Sequence, residues 1–378
     1  MKIIVGSGIA ALWCANHLQS LGHDVVVLEK QEIGCGQTIF SQGMIHGGAK
    51  YSLDGQLSKS TISISDMPHI WRNALDGIGY VDLSNSVKIT DFQFLWSSAN
   101  AASKLLSFFG SKVMSSKMKS ITPSDHDLFS SDKFKGSLFK LNEPVVDVQT
   151  VLENLANNLD NSILNLEVKK IEFRSDNSVD VVTNKDVINC DEVVLAAGEG
   201  NEKILQNSNI NLFPMQLRPL AMGAVYLNNK IPDIFGHHLG VSSRPSLTIS
   251  THYVNGDQVL YVGGDISESG VFLSDSEQKI KIKDSIKSAL YWLDFDIKDI
   301  KILRINRAEA RNHNLIKPDT FFCEKYKKAI ICWPTKLAFA PLLSESVITK
   351  ITKDRIKKTN LFSSYTAAKI SRYPWEIS

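Results

Sequence analysis

A short strand, a glycine-rich turn and a helix at the start of the chain constrain the fold more than any other feature. Residues 3–5 are a β-branched run, the turn follows as Gly6-Ser7-Gly8-Ile9-Ala10-Ala11, and apolar residues then recur at helical spacing. Gly6 permits the tight turn, Gly8 lets the backbone approach a pyrophosphate, and Ala11 lets the helix pack on the strand. The pattern predicts a dinucleotide-binding fold in which the helix N-terminus faces the phosphates.

The end of the second predicted strand supports the same prediction. Residues 25–28 form an apolar run that ends at Glu29, 21 positions after Gly8. A carboxylate at about this spacing accepts hydrogen bonds from an adenosine ribose. We therefore predict that Glu29 and the adjacent Lys30 border the adenosine half of the cofactor.

The next stretch favours FAD over NAD. Residues 34–55 are rich in Gly, Ser, Thr and Gln, whereas an NAD domain would normally continue as alternating strands and helices. This composition suits a loop that wraps a cofactor. The cofactor-binding candidates in the loop are Gln37, Thr38, Ser41, Gln42, Gly43, Met44 and Ile45.

A second cofactor element is predicted far along the chain. Residues 191–198 have the pattern of a buried strand that ends in the small residues Ala197 and Gly198. This segment resembles the A-x-G element that closes the FAD site in the glutathione-reductase-like fold. The cofactor domain is therefore expected to be assembled from separated stretches of chain.

These patterns predict an α/β protein with a glutathione-reductase-like, Rossmann-type FAD-binding domain and a β-rich substrate domain. The FAD-binding domain is predicted to comprise residues 1–85, 146–213 and 321–378, the last range including the C-terminal tail. The substrate domain is predicted to comprise residues 86–145 and 214–320. Val168 lies where this fold usually places a backbone contact to adenine.

Composition argues against several other classes of protein. The 378 residues are 43% hydrophobic and 22% charged, which is enough for a large core and about two domains. Because 42 Lys and Arg nearly balance 40 Asp and Glu, no nucleic-acid partner is expected. Five scattered cysteines without a C-x-x-C pair predict neither a disulfide framework nor a metal site.

Location is also predicted from the apolar pattern. The first strand begins at Lys2, and no apolar run reaches the length of a membrane span, so neither a signal peptide nor a transmembrane helix is expected. We predict a cytoplasmic protein. The basic and aromatic tail, residues 353–378, leaves open a peripheral contact with the inner membrane.

Residues 37–51 resemble the flavin-loop signature of the D-amino-acid-oxidase-like superfamily, closest to FAD-dependent glycerol-3-phosphate and L-2-hydroxyglutarate dehydrogenases. Ile45-His46-Gly47-Gly48 and Tyr51 match the I-H-G-G-x-R-Y pattern of the former, while Lys50 replaces its arginine. The resemblance implies that loop N–H groups bind the flavin edge. It also implies that Lys50 and Tyr51 project toward an anionic substrate.

Two further segments carry the resemblance. Lys336-Leu337 is similar to a K-L pair that precedes the final helix in that family, which implies that Lys336 stabilises the reduced flavin and that Leu337 and Ala338 border it. Residues 304–311 lie where the family places an arginine for the substrate's phosphate or carboxylate. Arg307 is our first choice for that role and Arg311 the second.

The proton acceptor is less well defined. Around residues 218–223, where the glycerol-phosphate enzymes have a serine and a histidine, this chain has neither. The remaining candidates are His252 and His46, since histidine titrates near neutral pH.

Together these features predict an FAD-dependent dehydrogenase or oxidase. It would transfer a hydride from a small anionic hydroxy compound, glycerol 3-phosphate-like or a 2-hydroxy acid, to the flavin, and electrons would pass on to a quinone, a carrier or oxygen. Two alternatives remain open at this point. One is an FAD-dependent amine or amino-acid oxidase, because the fold serves both reactions. The other is a non-catalytic or tRNA-modifying flavoprotein module.

Overall fold

The architecture comes from a computed structural model, which describes residues 1–48, 64–98, 118–160, 162–240, 245–311, 318, 320–352 and 368–377. Within these ranges the helices are α1 (Ile9–Ser20), α2 (Met67–Leu75), α3 (Val148–Asn157), α4 (Gly200–Asn207), α5 (Asp265–Ser269), α6 (Asp275–Ala289) and α7 (Ala340–Lys350). The strands before residue 200 are β1 (Lys2–Val5), β2 (Val25–Glu29), β3 (Lys88–Thr90), β4 (Gln93–Ser97), β5 (Met118–Ser120), β6 (Leu138–Leu141), β7 (Val145–Val146), β8 (Ile163–Asn165), β9 (Val168–Phe173), β10 (Val179–Thr183), β11 (Val187–Cys190) and β12 (Glu192–Leu195). The later strands are β13 (Met215–Leu227), β14 (Phe235–Leu239), β15 (Pro245–Val254), β16 (Asp257–Gly263), β17 (Ile297–Ala310), β18 (Phe322–Tyr326) and β19 (Ala329–Trp333).

A six-stranded sheet forms the centre of the predicted FAD-binding domain. Its order is β18-β19-β12-β1-β2-β8, and all neighbours except β18 and β19 pair in parallel. Every residue of β1, β2, β12 and β19 is buried, as expected for a parallel sheet that is covered on both faces. Helices α1 and α7 pack against each other on this sheet.

The predicted substrate domain is built on an eight-stranded sheet of order β17-β13-β16-β15-β14-β4-β6-β5. One face of β13, which includes Leu220 and Met222, joins the core cluster that contains α1 and α7. The opposite face, which includes Val225 and Leu227, packs against α6 in a second cluster. The sheet therefore turns one face toward the FAD-binding domain.

The two sheets draw their strands from alternating parts of the chain. The six-stranded sheet takes strands from residues 1–85, 146–213 and 321–378, and the eight-stranded sheet takes strands from residues 86–145 and 214–320. A separate three-stranded sheet, β9 to β11, lies between β8 and β12 in sequence. The exact residues at which one domain passes into the other stay a prediction from the sequence.

The described part of the C-terminal tail joins the two domains. Ile33 forms a parallel bridge with Ile370, and the Tyr226 hydroxyl donates to the Trp375 carbonyl over 2.6 Å. Tyr373 and Trp375 are buried, so their rings contribute to the core. None of the helices in the described ranges is both long enough and apolar enough to cross a membrane.

Candidate active site

The predicted cofactor elements meet at one edge of the six-stranded sheet. Because β1, β2, β12 and β19 run parallel, the segments that follow them leave the sheet on the same side. These segments are the Gly6–Ala11 turn, the chain after Glu29 at the end of β2, the Ala197-Gly198 pair and the loop that contains Lys336. Ligands of open parallel sheets bind at this carboxyl edge.

The glycine turn, Gly6–Ala11, leaves a concave backbone surface that side chains would fill. This surface is called the cradle below. Gly6 has a φ of +99°, and a Cβ there would lie 2.7 Å from the Ala196 carbonyl oxygen and from the Ala197 Cα. Gly8 caps α1 without a side chain, and the first turn of this helix carries no acidic residue. The Ile9 N–H donates to the Thr38 hydroxyl over 3.0 Å. This helix N-terminus therefore suits an anionic pyrophosphate.

Glu29 is buried and fixed beside that turn. One of its carboxylate oxygens accepts hydrogen bonds from the Ser7 N–H (3.0 Å) and hydroxyl (2.7 Å), and the other accepts from the Gln31 N–H (2.9 Å). The Glu29 carbonyl accepts from the Leu166 N–H, which brings the chain near Val168 to the same edge. Lys30, by contrast, is exposed. The Glu29 carboxylate is thus positioned to accept ribose hydroxyls.

The predicted flavin loop is held between the two domains. The Gln42 side chain donates to the carbonyls of Thr248 (3.0 Å) and Tyr261 (2.8 Å), both in the substrate sheet. Gly43 has a φ of +68°, and a Cβ there would lie 2.0 Å from the Val146 carbonyl oxygen, so only glycine fits. The other residues of this loop that the sequence predicts to contact the cofactor are Gln37, Ser41, Met44 and Ile45. Their role stays a prediction.

His46 lies in the same loop, against two residues that the sequence did not single out. The Glu143 carboxylate is buried, lies 3.5 Å from His46 Nδ1 and accepts the Gly47 N–H over 2.7 Å. The His46 ring centroid lies 5.4 Å from that of His237, a fully buried residue of β14. Glu143 and His237 are about a hundred residues apart in sequence, so no local pattern could have linked them.

Lys336 lies directly before a 3-10 turn, Leu337–Phe339, which leads into α7. Its ammonium lies 5.1 Å from the centre of the Phe339 ring, and the Ala338 carbonyl accepts a hydrogen bond from the Trp71 indole. Since α1 follows β1 and α7 follows β19, and both strands run parallel to β12, the N-termini of both helices lie at the same edge of the sheet. The predicted site residues Lys50 and Tyr51 lie outside the described residues.

Arg307 belongs to a cluster of four charged side chains. It lies opposite Arg218 across the β13–β17 pairing, and its Nη2 donates to Glu268 over 3.0 Å. Arg218 donates to Glu268 over 2.9 Å and to the buried Glu309 over 2.7 Å. Burial, together with the Arg218 charge, lowers the pKa of Arg307. Arg311, the second choice, is exposed just beyond β17.

The Nε atom of Arg307 is the unsatisfied part of this cluster. It is buried and has no hydrogen-bond acceptor within the described part of the chain. Leu220 and Ile305, which pair two positions away along the same strands, pack in the core cluster shared with α1 and α7. Because strand residues alternate between faces, Arg307 lies on the face that is turned toward the FAD-binding domain.

His252 has a different environment from His46. Its ring is surrounded by those of Trp375 (4.3 Å), Tyr373 (5.6 Å) and Tyr261 (6.2 Å), and its Nε2 lies 2.9 Å from the Ser250 hydroxyl. Burial lowers the pKa of His252 to about 3. A histidine with this pKa is a weak proton acceptor, so His46 is the better candidate of the two.

Comparison with known proteins agrees with this geometry. The sequence profile of the FAD dependent oxidoreductase (DAO) family matches residues 2–291. The probable FAD-dependent oxidoreductase PA4991 of Pseudomonas aeruginosa is 35% identical over 358 residues, which are 94% of this chain and 91% of that protein. A crystal structure of PA4991 aligns with a TM-score of 0.83 and 28% identity, and the alignment covers 100% of this chain and 97% of the other.

More distant structures share the fold. L-α-glycerophosphate oxidase from Mycoplasma pneumoniae, solved with FAD bound, has a TM-score of 0.69 at 13% identity and covers 95% of this chain and 96% of its own. Glycine oxidase from Geobacillus kaustophilus has a TM-score of 0.65 at 13% identity and covers 92% and 93%. The predicted fold class and the predicted cofactor are confirmed by these matches together with the cradle at the sheet edge. The chain belongs to the DAO family of FAD-dependent oxidoreductases.

Proposed function

We propose that the protein oxidises a small hydroxy compound that carries a carboxylate or a phosphate, such as a 2-hydroxy acid or a glycerol 3-phosphate-like molecule. The buried Nε of Arg307, which lacks an acceptor among the described residues, is the observation that carries this proposal. A buried donor without a partner costs about 1–3 kcal/mol. A substrate anion that accepts from this nitrogen would remove that cost.

The guanidinium geometry suits such an anion. Nε and Nη2 of an arginine form a fork that a carboxylate or phosphate can bind with two oxygens. In Arg307 the Nη2 arm is held by Glu268, whose side chain is 41% exposed, and in this proposal a substrate oxygen replaces that carboxylate at Nη2. Arg218 remains tied to the buried Glu309, so it supports the cluster and leaves Arg307 to the substrate.

The other groups have complementary roles in this proposal. FAD, when bound at the sheet edge, supplies the hydride acceptor. Lys336 and the N-terminus of α7 provide positive potential for the negative charge of the reduced cofactor. His46 takes the hydroxyl proton, and a quinone, a carrier or oxygen then receives the electrons.

A second candidate function is the oxidation of an amino acid, and Glu268 favours it. Its carboxylate lies 3.0 Å from Arg307 Nη2, so a cationic and an anionic group stand side by side on the substrate sheet. A zwitterion could place its carboxylate on Arg307 and its ammonium on Glu268. This arrangement would satisfy both charges without displacing the acid.

The visible absorption of the FAD-loaded protein distinguishes the two candidates. The spectrum is recorded anaerobically before and after separate additions of glycerol 3-phosphate, L-2-hydroxyglutarate and a set of amino acids. We expect one anionic hydroxy compound to bleach the flavin band. Bleaching by amino acids alone would replace the proposal with its alternative, and a flavin that no member of the set bleaches would count against both.

A further inference from the structure

His46, Glu143 and His237 form a polar group between the flavin loop and the substrate sheet. We propose that Glu143 is a positioning residue, which holds the His46 imidazole in the orientation that lets it accept the substrate's hydroxyl proton. This inference rests on the proposed function, because it assigns the group that moves the proton in that reaction. It adds a residue that no sequence motif marked.

The burial of Glu143 is the first observation. Only 2% of the residue is exposed, and it lies in the short connection between β6 and β7. A carboxylate in such a place needs hydrogen bonds and an opposite charge to offset its lost hydration. One oxygen receives the Gly47 N–H over 2.7 Å, and the other lies 3.5 Å from His46 Nδ1.

This arrangement fixes the flavin loop and the histidine together. The Gly47 contact ties the loop backbone to the same carboxylate that faces the His46 ring. A carboxylate beside Nδ1 favours the tautomer with its proton on that nitrogen, which leaves the Nε2 lone pair to act as the acceptor. It also stabilises the imidazolium that forms once the proton arrives.

His237 cannot take this role as readily, because both of its nitrogens are engaged. Nδ1 lies 2.9 Å from the Thr248 hydroxyl, and Nε2 lies 3.1 Å from the Gln93 side-chain oxygen. The Gln93 amide nitrogen donates to the Pro144 carbonyl, so its oxygen faces His237 and Nε2 carries the proton. His237 is therefore held in place beside His46 by its own partners, and Glu143 is the acid that faces His46 within the described residues.

The proposed step balances without an additional reactant. The substrate's O–H bond breaks and its proton goes to His46 Nε2, while the electrons of that bond form the second bond of the carbonyl. The adjacent C–H bond breaks, and oxidised FAD, when bound, would accept its hydride. The substrate thus loses one proton and one hydride, which together are two protons and two electrons, and Glu143 changes neither its charge nor its bonding.

The test measures the titration of His46 directly. The FAD-loaded protein is labelled with ¹³C at histidine Cε1 and titrated by NMR in the wild type and in Glu143→Gln, with His46→Gln used to assign the signal. The amide oxygen of the glutamine can still accept the Gly47 N–H, so the loop contact is retained and only the charge is lost. We expect the His46 midpoint to move to lower pH by about one unit in Glu143→Gln.

Glu345→Gln is the matched control. Glu345 on α7 is exposed and lies 4.0 Å from His17 Nε2, so this variant removes a carboxylate beside a different histidine. Its His46 midpoint should equal that of the wild type. Glu143→Asp keeps the charge, and we expect it to restore most of the wild-type midpoint and to serve if Glu143→Gln fails to retain FAD.

A kinetic measurement separates this inference from the proposed function. With a compound that bleaches the flavin, the acid limb of the reduction rate should move to lower pH in Glu143→Gln by the same amount as the NMR midpoint. An unchanged His46 midpoint, or a limb that stays in place, would overturn the role of Glu143. If no anionic hydroxy compound reduces the flavin, the proposed function fails, and the NMR titration still decides whether Glu143 controls His46.

Discussion

Arg307 on β17 and Arg218 on β13 lie directly opposite each other, and both donate to the same oxygen of Glu268. Within the described part of the chain, only Arg218 of the two has a second carboxylate partner, the buried Glu309. The pair is therefore asymmetric, since each guanidinium nitrogen of Arg218 donates to a carboxylate, whereas the buried Nε of Arg307 has no acceptor among the described residues. This asymmetry identifies Arg307 as the better candidate for the substrate anion.

Arg307→Lys should weaken substrate binding while FAD binding is retained. Lysine keeps the charge but loses the fork, so we expect the KM for the reducing anion to rise about 100-fold. Stopped-flow reduction of the flavin at several substrate concentrations gives this value. Arg304→Lys is the control, because Arg304 is exposed on the other face of β17 and binds Asp275. Equal KM values for the two variants would refute the assignment.

Gly6→Ala should impair FAD binding through backbone crowding. An added Cβ would lie 2.7 Å from the Ala196 carbonyl oxygen, at a φ of +99° that alanine rarely adopts. The measurements are the FAD content of the purified protein and its melting temperature. Gly79→Ala is the matched control, since Gly79 has a φ of +112° and open space around its Cβ direction. If both variants retain FAD equally, close packing at Gly6 is not required for the cofactor.

Glu192→Gln should destabilise the FAD-binding domain. Burial alone would raise the pKa of Glu192, but hydrogen bonds from Lys2, Lys325 and Thr352 outweigh it and lower the pKa to about 2. Removing this charge leaves the buried Lys2 ammonium without its carboxylate, at a cost of about 3 kcal/mol in the free energy of unfolding. Urea unfolding at pH 7 measures the change.

The neighbouring residue provides the control for this prediction. Asp191 pairs with the N-terminal ammonium, but its side chain is 50% exposed. Asp191→Asn should therefore change the free energy of unfolding by less than about 1 kcal/mol. A loss in Glu192→Gln no greater than in Asp191→Asn would show that the buried pair does not stabilise the sheet.

His252→Phe should make stability less sensitive to acid. Burial lowers the pKa of His252 from 6.5 to about 3, so the unfolded chain binds a proton between these values that the folded chain does not. The wild type therefore loses stability as pH falls through this window, by up to about 2 kcal/mol at pH 5 from this residue. Urea midpoints at pH 7.5 and pH 5 should differ less in the variant. An identical difference would contradict the low pKa.

The local motifs of the sequence were sufficient to predict the family and the cofactor. The Gly6–Ala11 turn and the carboxylate of Glu29 carry specific constraints, because a tight turn and a helix N-terminus are set by residues close together in the chain. Strand β12, which ends two residues before Ala197, was also recognisable from its apolar run. These features account for the fold class and for the position of the cradle at the sheet edge.

Only the tertiary structure decided which charged and polar groups meet. The register of β13 and β17 places Arg307 opposite Arg218. The connection between β6 and β7 brings Glu143 to within 3.5 Å of His46. The tertiary structure also placed His252 among aromatic rings, which its sequence context did not indicate. Such contacts join residues that are many positions apart, so they depend on strand pairing and side-chain packing, which no local pattern of the sequence encodes.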